Sequence, residues 1–290
     1  MCPPPALPKP STWRPLLDRA LEEDVGHGDL TAERTIPRDA QGDARIEARQ
    51  ELVVCGLPIA VATFQATDPA IACHIEAEEG TPVGTMTSLL RVTGPLRSIL
   101  AAERTALNFL SRMSGVASLT RQYADAIRGT PATLVDTRKT VPGWRHLDKY
   151  ATAVGGAENH RFGLFDGILI KDNHVAICGG VEPALRAAQG GAPSDLPIQI
   201  EVQNEEEAAQ AADAGATFLL LDNMEPNAVR QVVSKLGDRV LLEASGGIGL
   251  DNVRDYAKTG VHRISVGALT HSATAADVSL EMCEAEEGGP

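Results

Sequence analysis

Between residues 136 and 175 the chain reads DTRKTVPGWRHLDKYATAVGGAENHRFGLFDGILIKDNHV. This stretch gathers Arg138, Lys139, His160, Arg161 and Lys171 around a Gly-Gly pair and one apolar run. A solvated surface would scatter such charges and a core would exclude them, so they are expected to converge on a small, strongly anionic ligand. Arginine forks match planar carboxylates and phosphates, and lysine adds a compact point charge. Each charge-assisted hydrogen bond of this kind contributes about 1.5–3 kcal/mol. A cation left buried and unpaired is penalised by a similar amount, so such a site would reject a ligand lacking one carboxylate. Taken singly, each cation could equally bridge to Asp136, Glu158 or Asp172 within the protein. As a set they favour a ligand.

Two further groups extend the chemistry. Glu201 and Asp222 each close an apolar run, in IQIEV and FLLLD. Hard carboxylate oxygens so placed suit a partly hydrated Mg²⁺ that bridges to phosphates or ribose hydroxyls, although capping or an ion pair with Lys171 would also account for them. Glycine-rich turns follow the next two runs, ASGGIG (244–249) and SVGALTH (265–271). Glycines let backbone N–H groups approach a phosphate closely, and a following helix adds its dipole.

The elements that must position these residues fall into two patterns. From about residue 130, short apolar strand candidates recur in TLVD, GILIKD, IQIEV, FLLLD, RVLLEA and RISVGAL. Helical stretches such as EEEAAQAADAG and EPNAVRQVVSKLG lie between most of them. This alternation predicts parallel βα units. No early GxGxxG fingerprint occurs, so a barrel outranks an open dinucleotide-binding sheet, and six readable strands leave it either incomplete or closed by a strand the pattern hides. In a βα barrel the C-terminal strand ends share one rim, which carries the chemistry. Asp136–Lys139, Lys171–His174, Glu201, Asp222, Ser245–Gly247 and Gly267 with His271 would all become neighbours there. The first third reads differently. RPLLDRALEEDVG predicts an amphipathic helix stopped by Gly26, and GDARIEARQELVVCGL and IACHIEAEEGTPV predict strands around a helical PIAVATFQAT. LRSILAAERTALNFLSRMSG predicts a helix that Gly115 breaks or ends. Together these imply a small α/β sandwich.

Composition narrows the function classes. With 290 residues and a formal net charge of −13, the chain can bury a substantial core and lacks the basic footprint of a nucleic-acid or anionic-membrane binder. Cys2, Cys55, Cys73, Cys178 and Cys283 show no CxxC spacing and read as reduced cytosolic thiols. The start, MCPPPALPKPSTW, has no basic region followed by an apolar one and reads as a loose Pro-rich arm. A cytoplasmic protein that binds neither membrane nor nucleic acid is expected.

Nine ordered motifs then make a family likeness specific: EDVGHGDLTAERTIP, ERTALNFLSRMSG, DTRKTVPGWR, GGAENHR, LIKDNHV, EVQNEEEA, LLLDNM, LEASGGI and ISVGALTHS. From about residue 13 to 282 the chain closely resembles quinolinate phosphoribosyltransferase, also called nicotinate-nucleotide pyrophosphorylase (carboxylating). The resemblance implies a type II phosphoribosyltransferase fold, with an N-terminal α/β sandwich and an open, incomplete α/β barrel. The matching boundaries are a Pro-rich arm over 1–12, the sandwich over 13–114, the barrel over 115–272 and a C-terminal segment over 273–290 packing back on the sandwich. It implies transfer of phosphoribose from 5-phosphoribosyl-1-pyrophosphate to quinolinate with loss of carbon dioxide, in de novo NAD synthesis. Thr137, Arg138, His160, Arg161 and Lys171 would hold quinolinate. Arg104 would reach in from a partner subunit of a homo-oligomer; its own surroundings in sequence suggest only a surface arginine beside Glu103 or Asn108. Lys139, Glu201 and Asp222 would be catalytic and would bind the donor with Lys171, with Mg²⁺ held by Glu201 and Asp222 through the donor or water. Ser245, Gly246, Gly247, Ser265, Gly267 and His271 would hold its 5-phosphate. Ala157 stands where a third glycine is common, and Val141 and Trp144 occupy variable places, so no charged group is lost.

Overall fold

The computed structural model describes residues 5–191, 193 and 196–283. In chain order its elements begin α1 (Pro10–Val25), α2 (Leu30–Thr35), β1 (Gln41–Ala48), β2 (Leu52–Val53), α3 (Leu57–Thr67), β3 (Ala72–Ile75), β4 (Pro82–Val83), β5 (Ser88–Pro95) and α4 (Leu96–Ala126). There follow β6 (Thr133–Val135), α5 (Arg145–Gly155), β7 (Ile168–Ile170), α6 (Asp172–Cys178), α7 (Val181–Gly191), β8 (Ile198–Val202), α8 (Glu205–Asp213) and β9 (Phe218–Asp222). The last are α9 (Pro226–Leu236), β10 (Leu241–Ser245), α10 (Val253–Ala257), β11 (Arg263–Ser265), α11 (Ala268–His271) and β12 (Val278–Met282). They form two compact units, one comprising the described residues through Arg121, Val141–Gly155 and those from Ser272, the other Gln122–Thr140 and Gly156–His271.

The first unit is built on a four-stranded antiparallel sheet in the order β12-β1-β5-β3. Alternation in β1 turns Ala44, Ile46 and Ala48 inward, where they join Leu90 and Val92 of β5 and Ile99, Ala102 and Ala106 of α4. The strand over 88–95 is missed by periodicity because the buried pair Leu89-Leu90 interrupts its alternation. Residues 273–283 divide between a loop and β12, which pairs with β1 across Ala44–Met282 to Ala48–Val278; the remainder of the expected C-terminal segment lies outside the described residues.

Three expectations change. The helix does not end at Gly115: a Cβ there would lie 2.1 Å from the Thr274 carbonyl oxygen, so the glycine admits a crossing backbone and α4 continues past it. The expected barrel range 115–272 is interrupted, because α5 belongs to the first unit. Leu147, Tyr150, Ala151 and Val154 of α5 join a core with Trp13, Leu17, Phe109 and Met113. Trp144 stacks on Phe109 with centroids 5.0 Å apart, and buried Asp148 accepts from Arg112 at 3.1 Å. The Pro-rich arm is also ordered over part of its length. Pro10 opens α1, where a missing N–H is harmless, and Trp13 Nε1 donates to the Pro8 carbonyl at 2.9 Å. Residues 1–4 of that arm, Cys2 included, lie outside the described residues.

The second unit is a six-stranded all-parallel sheet in the order β6-β11-β10-β9-β8-β7. A closed barrel would pair β6 with β7; here those strands are the two edges, and β6 instead meets an isolated bridge from Val135 to Glu158. The open, incomplete barrel follows from that seam. Helices between the strands bury one apolar stripe each, Ala208, Ala211 and Ala212 on α8 and Val229, Val232 and Leu236 on α9. Asn204 caps α8 by accepting from the Glu207 N–H, and Pro226 opens α9. Among the described residues no helix is long and apolar enough to cross a membrane.

Candidate active site

The C-terminal ends of the parallel strands surround a cavity of about 660 Å³ that lies wholly within the second unit. β6 delivers Thr137, Arg138 and Lys139 to its wall, the seam segment delivers His160 and Arg161, and β7 delivers Lys171. Glu201 is the penultimate residue of β8, Asp222 and Ser245 end β9 and β10, and Gly246 and Gly247 follow. Ser265 ends β11, and Gly267 and His271 complete the ring after it. Residues separated by more than a hundred positions thus share one mouth. Arg104 alone among the expected site residues does not line it; it is exposed on α4, in the other unit.

One end of the cavity is cationic. Fully buried Asp136 anchors it, accepting from the His160 N–H and from Asn159 Nδ2, each at 2.8 Å. This ties the seam segment to the end of β6. Arg161 donates from Nη1 to the Gly167 carbonyl at 2.9 Å. Burial, and then the positive charge of Arg138, push the Arg161 pKa down, with Asp166 opposing. Two neighbouring guanidiniums in a partly dry wall raise the potential there, which an anion would relieve.

His160 lines the same wall, yet both its ring nitrogens are engaged within the protein. Nδ1 accepts from the Arg161 N–H at 2.8 Å, which puts the ring proton on Nε2. Nε2 faces Gln199 Oε1 at 3.1 Å and Glu243 Oε1 at 3.3 Å. Glu243 is fully buried, and its other oxygen is 3.5 Å from Arg263 Nε. Arg263 in turn lies over the Phe218 ring, 5.6 Å from its centroid. Glu243 is a site residue that strand reading overlooks. Its only signal is one acid inside the apolar run VLLEAS, at a place where burial demands a partner.

The neighbouring stretch of the rim is mixed in charge. Lys171 Nζ is 3.3 Å from Glu201 Oε2, and the Glu201 side chain is only 8% exposed. Burial raises the Glu201 pKa; Lys171 opposes the rise and the nearby negative charge of Asp222 adds to it. Two carboxylates that repel one another at a strand rim suit a divalent cation. Among the described residues no group of three metal-binding side chains occurs, so such an ion would take its remaining oxygens from substrate and water.

The glycine loops are shaped by close approach. Gly246 has φ 95°, and a Cβ on it would fall 2.3 Å from Asn223 Oδ1. A Cβ on Gly267 would fall 2.8 Å from Lys139 Cδ, so that glycine lets the lysine stem pass. Thr270 Oγ1 donates to the Lys139 carbonyl at 2.8 Å, holding the same lysine from behind. Asn252 pins the first loop by donating to the Gly247 carbonyl at 3.0 Å and accepting from the Gly249 N–H at 2.8 Å. Asn252 was not expected in the site; the signal available is an Asn at a helix start just after the glycines.

Comparison with known proteins places the chain among named relatives. Family models match in both halves: the quinolinate phosphoribosyl transferase N-terminal domain over residues 29–114 and the C-terminal domain over 116–281. The chain is 40% identical over 275 residues to the nicotinate-nucleotide pyrophosphorylase [carboxylating] of Mycobacterium leprae, covering 93% of this chain and 96% of that one. It is 36% identical over 272 residues to the probable enzyme of the same name from Bacillus subtilis, covering 94% of each. The solved structure of the nicotinate-nucleotide pyrophosphorylase from Francisella tularensis superimposes with a TM-score of 0.90 at 36% identity, covering 95% of this chain and 97% of that one.

Proposed function

The chain belongs to the quinolinate phosphoribosyltransferase family, and we propose that the cavity of its second unit is where it performs that family's reaction. Phosphoribose passes from 5-phosphoribosyl-1-pyrophosphate to quinolinate, giving nicotinate mononucleotide, pyrophosphate and carbon dioxide for de novo NAD synthesis. One observation carries the assignment of the site: Arg138, Arg161 and Lys171 face the same cavity as Glu201, Asp222 and both glycine loops. A diacid and a sugar phosphate could therefore be held side by side.

In this reading Arg138 and Arg161, with Thr137 and Lys171, bind the two carboxylates and orient the pyridine nitrogen toward C1 of the ribose. His160 contributes by posture: its ring supports the Arg161 backbone, while its Nε2 turns to Glu243. The loops at Ser245–Gly247 and Ser265–Gly267, with His271, hold the 5-phosphate through backbone N–H groups. Mg²⁺, held by Glu201 and Asp222 through the donor or water, would neutralise charge on the departing pyrophosphate. As the C1–oxygen bond lengthens, the ribose gains oxocarbenium character, which the carboxylates of Glu201 and Asp222 stabilise. Lys139 draws the negative charge that collects on the leaving group. Attack by the ring nitrogen forms the N–C1 bond, and pyrophosphate leaves with the electron pair. The ring nitrogen is then positive, so the adjacent carboxylate departs as carbon dioxide. Its electron pair remains on carbon beside N⁺ until a solvent proton fills it. No nucleophilic side chain is needed.

A homo-oligomer in which the partner subunit's Arg104 completes the diacid end, in the cytoplasm, completes the reading. Incubation with quinolinate, phosphoribosyl pyrophosphate and Mg²⁺, followed by mass analysis for nicotinate mononucleotide, tests it. Absence of product, or equal turnover of nicotinate in place of quinolinate, would overturn it.

A further inference from the structure

Directly after Asp222 the chain enters an unusual conformation. Asn223 has φ 54°, a left-handed value that only Met86 shares among the described non-glycine residues. Asparagine tolerates this region better than most residues, yet still less well than glycine. The turn lets the Asn223 N–H donate to the Ser245 carbonyl at 2.8 Å, one step beyond the last ladder pair, Asp222 with Ser245. Its side chain folds back at the same time. Nδ2 donates to Asp222 Oδ2 at 2.7 Å. Only the NH₂ end can donate to a carboxylate, so Oδ1 is directed elsewhere, and it lies against Gly246. One amide is thus wedged between the carboxylate that ends β9 and the glycine loop that follows β10.

We propose that Asn223 is a positioning residue for the donor half of the cavity: it fixes the rotation of the Asp222 carboxylate and sets how closely the Gly246 loop approaches it. The inference rests on the reading that Asp222 and that loop address the phosphoribosyl donor. Without the amide, the carboxylate would swing freely about its stem and the loop would lose its spacer. Both groups could then satisfy the ribose and phosphate only part of the time. A residue that merely ended the strand would need the left-handed turn and nothing more.

Glycine separates the two roles, because Asn223→Gly keeps the turn, eases the backbone and deletes only the amide. The expected result is an unchanged or raised melting temperature, with the KM for phosphoribosyl pyrophosphate rising roughly tenfold, the loss of one hydrogen bond to a charged group. The KM for quinolinate should stay unchanged. Asn223→Asp removes the donating NH₂ and sets a second carboxylate that repels Asp222, so the donor KM should rise at least as far as in Asn223→Gly. If wild-type protein forms no nicotinate mononucleotide, the functional reading fails. If wild type is active and Asn223→Gly keeps its donor KM and Mg²⁺ requirement within about twofold, the positioning role is refuted. Equal rises in both substrate KM values would refute it as well, since they would mark a general loosening of the site.

Discussion

Replacing Arg161 by alanine tests the cationic end of the cavity, because the expected effects on ligand and on fold have different sizes. Arg161 donates to the Gly167 carbonyl at 2.9 Å, and its charge sits close enough to Arg138 to be disfavoured by it. Removing the guanidinium therefore loses one charge-assisted hydrogen bond, about 1.5–3 kcal/mol, and relieves a like-charge repulsion with Arg138 that acts in the opposite sense. The unliganded protein should melt within a few degrees of wild type. The diacid is affected far more. A guanidinium–carboxylate pair in a partly dry wall contributes about 2–4 kcal/mol once partial solvent access is allowed for, so the quinolinate Kd should rise from about thirtyfold to about a thousandfold. Arg161→Lys keeps the charge and loses the fork, and should fall between the two. Calorimetric titration with quinolinate reads the affinity and a melt without ligand reads the fold. A Kd within about threefold of wild type, with an intact melt, would remove Arg161 from the diacid site and with it the argument from paired guanidiniums.

Further outcomes follow from the same geometry. Asp222→Asn should leave quinolinate binding intact while lowering the rate and its response to Mg²⁺, measurable as separate KM values across a Mg²⁺ series. Glu243→Gln removes the charge facing His160 Nε2 and should raise the quinolinate KM several-fold, about the loss of one charge-assisted contact, with little change for the donor; an unchanged value would make Glu243 a purely structural acid. In the first unit, Glu79 accepts from the Gly56 and Leu57 N–H groups through Oε1 and from Tyr150 through Oε2, and burial raises its pKa. A raised carboxyl stabilises the fold at low pH and loses that contribution as pH climbs past its folded value. Glu79→Gln, which keeps both backbone bonds, should thus melt higher than wild type near pH 8, with the gap narrowing toward the usual carboxylate range of about pH 4–5, as thermal melts would show. Gly115→Ala should destabilise the protein by about 2 kcal/mol or more in chemical denaturation, because its Cβ would meet the Thr274 carbonyl oxygen.

What the residues declare on their own is mostly the rim. Apolar runs ending in charged or glycine-rich tails mark parallel strands, and the geometry of a βα barrel brings Lys171, Glu201, Asp222 and Ser245 together without any knowledge of side-chain contacts. Period and burial are local properties, and so helices α8 and α9 are also legible. Partner choice is not local. Nothing local in residues 145–155 says that Trp13, Phe109 and Met113 receive the buried face of α5, so a helix from the middle of the expected barrel joins the first unit. Gly115 reads as a helix breaker until the backbone at Thr274 is seen to cross it. Nor does the seam between β6 and β7 appear in the strand count, since closure depends on which edges pair. Side-chain direction is hidden for the same reason. His160 belongs to the cationic cluster by type, yet a buried acid two residues before Ser245 turns its Nε2 inward, and only contacts across strands could decide that.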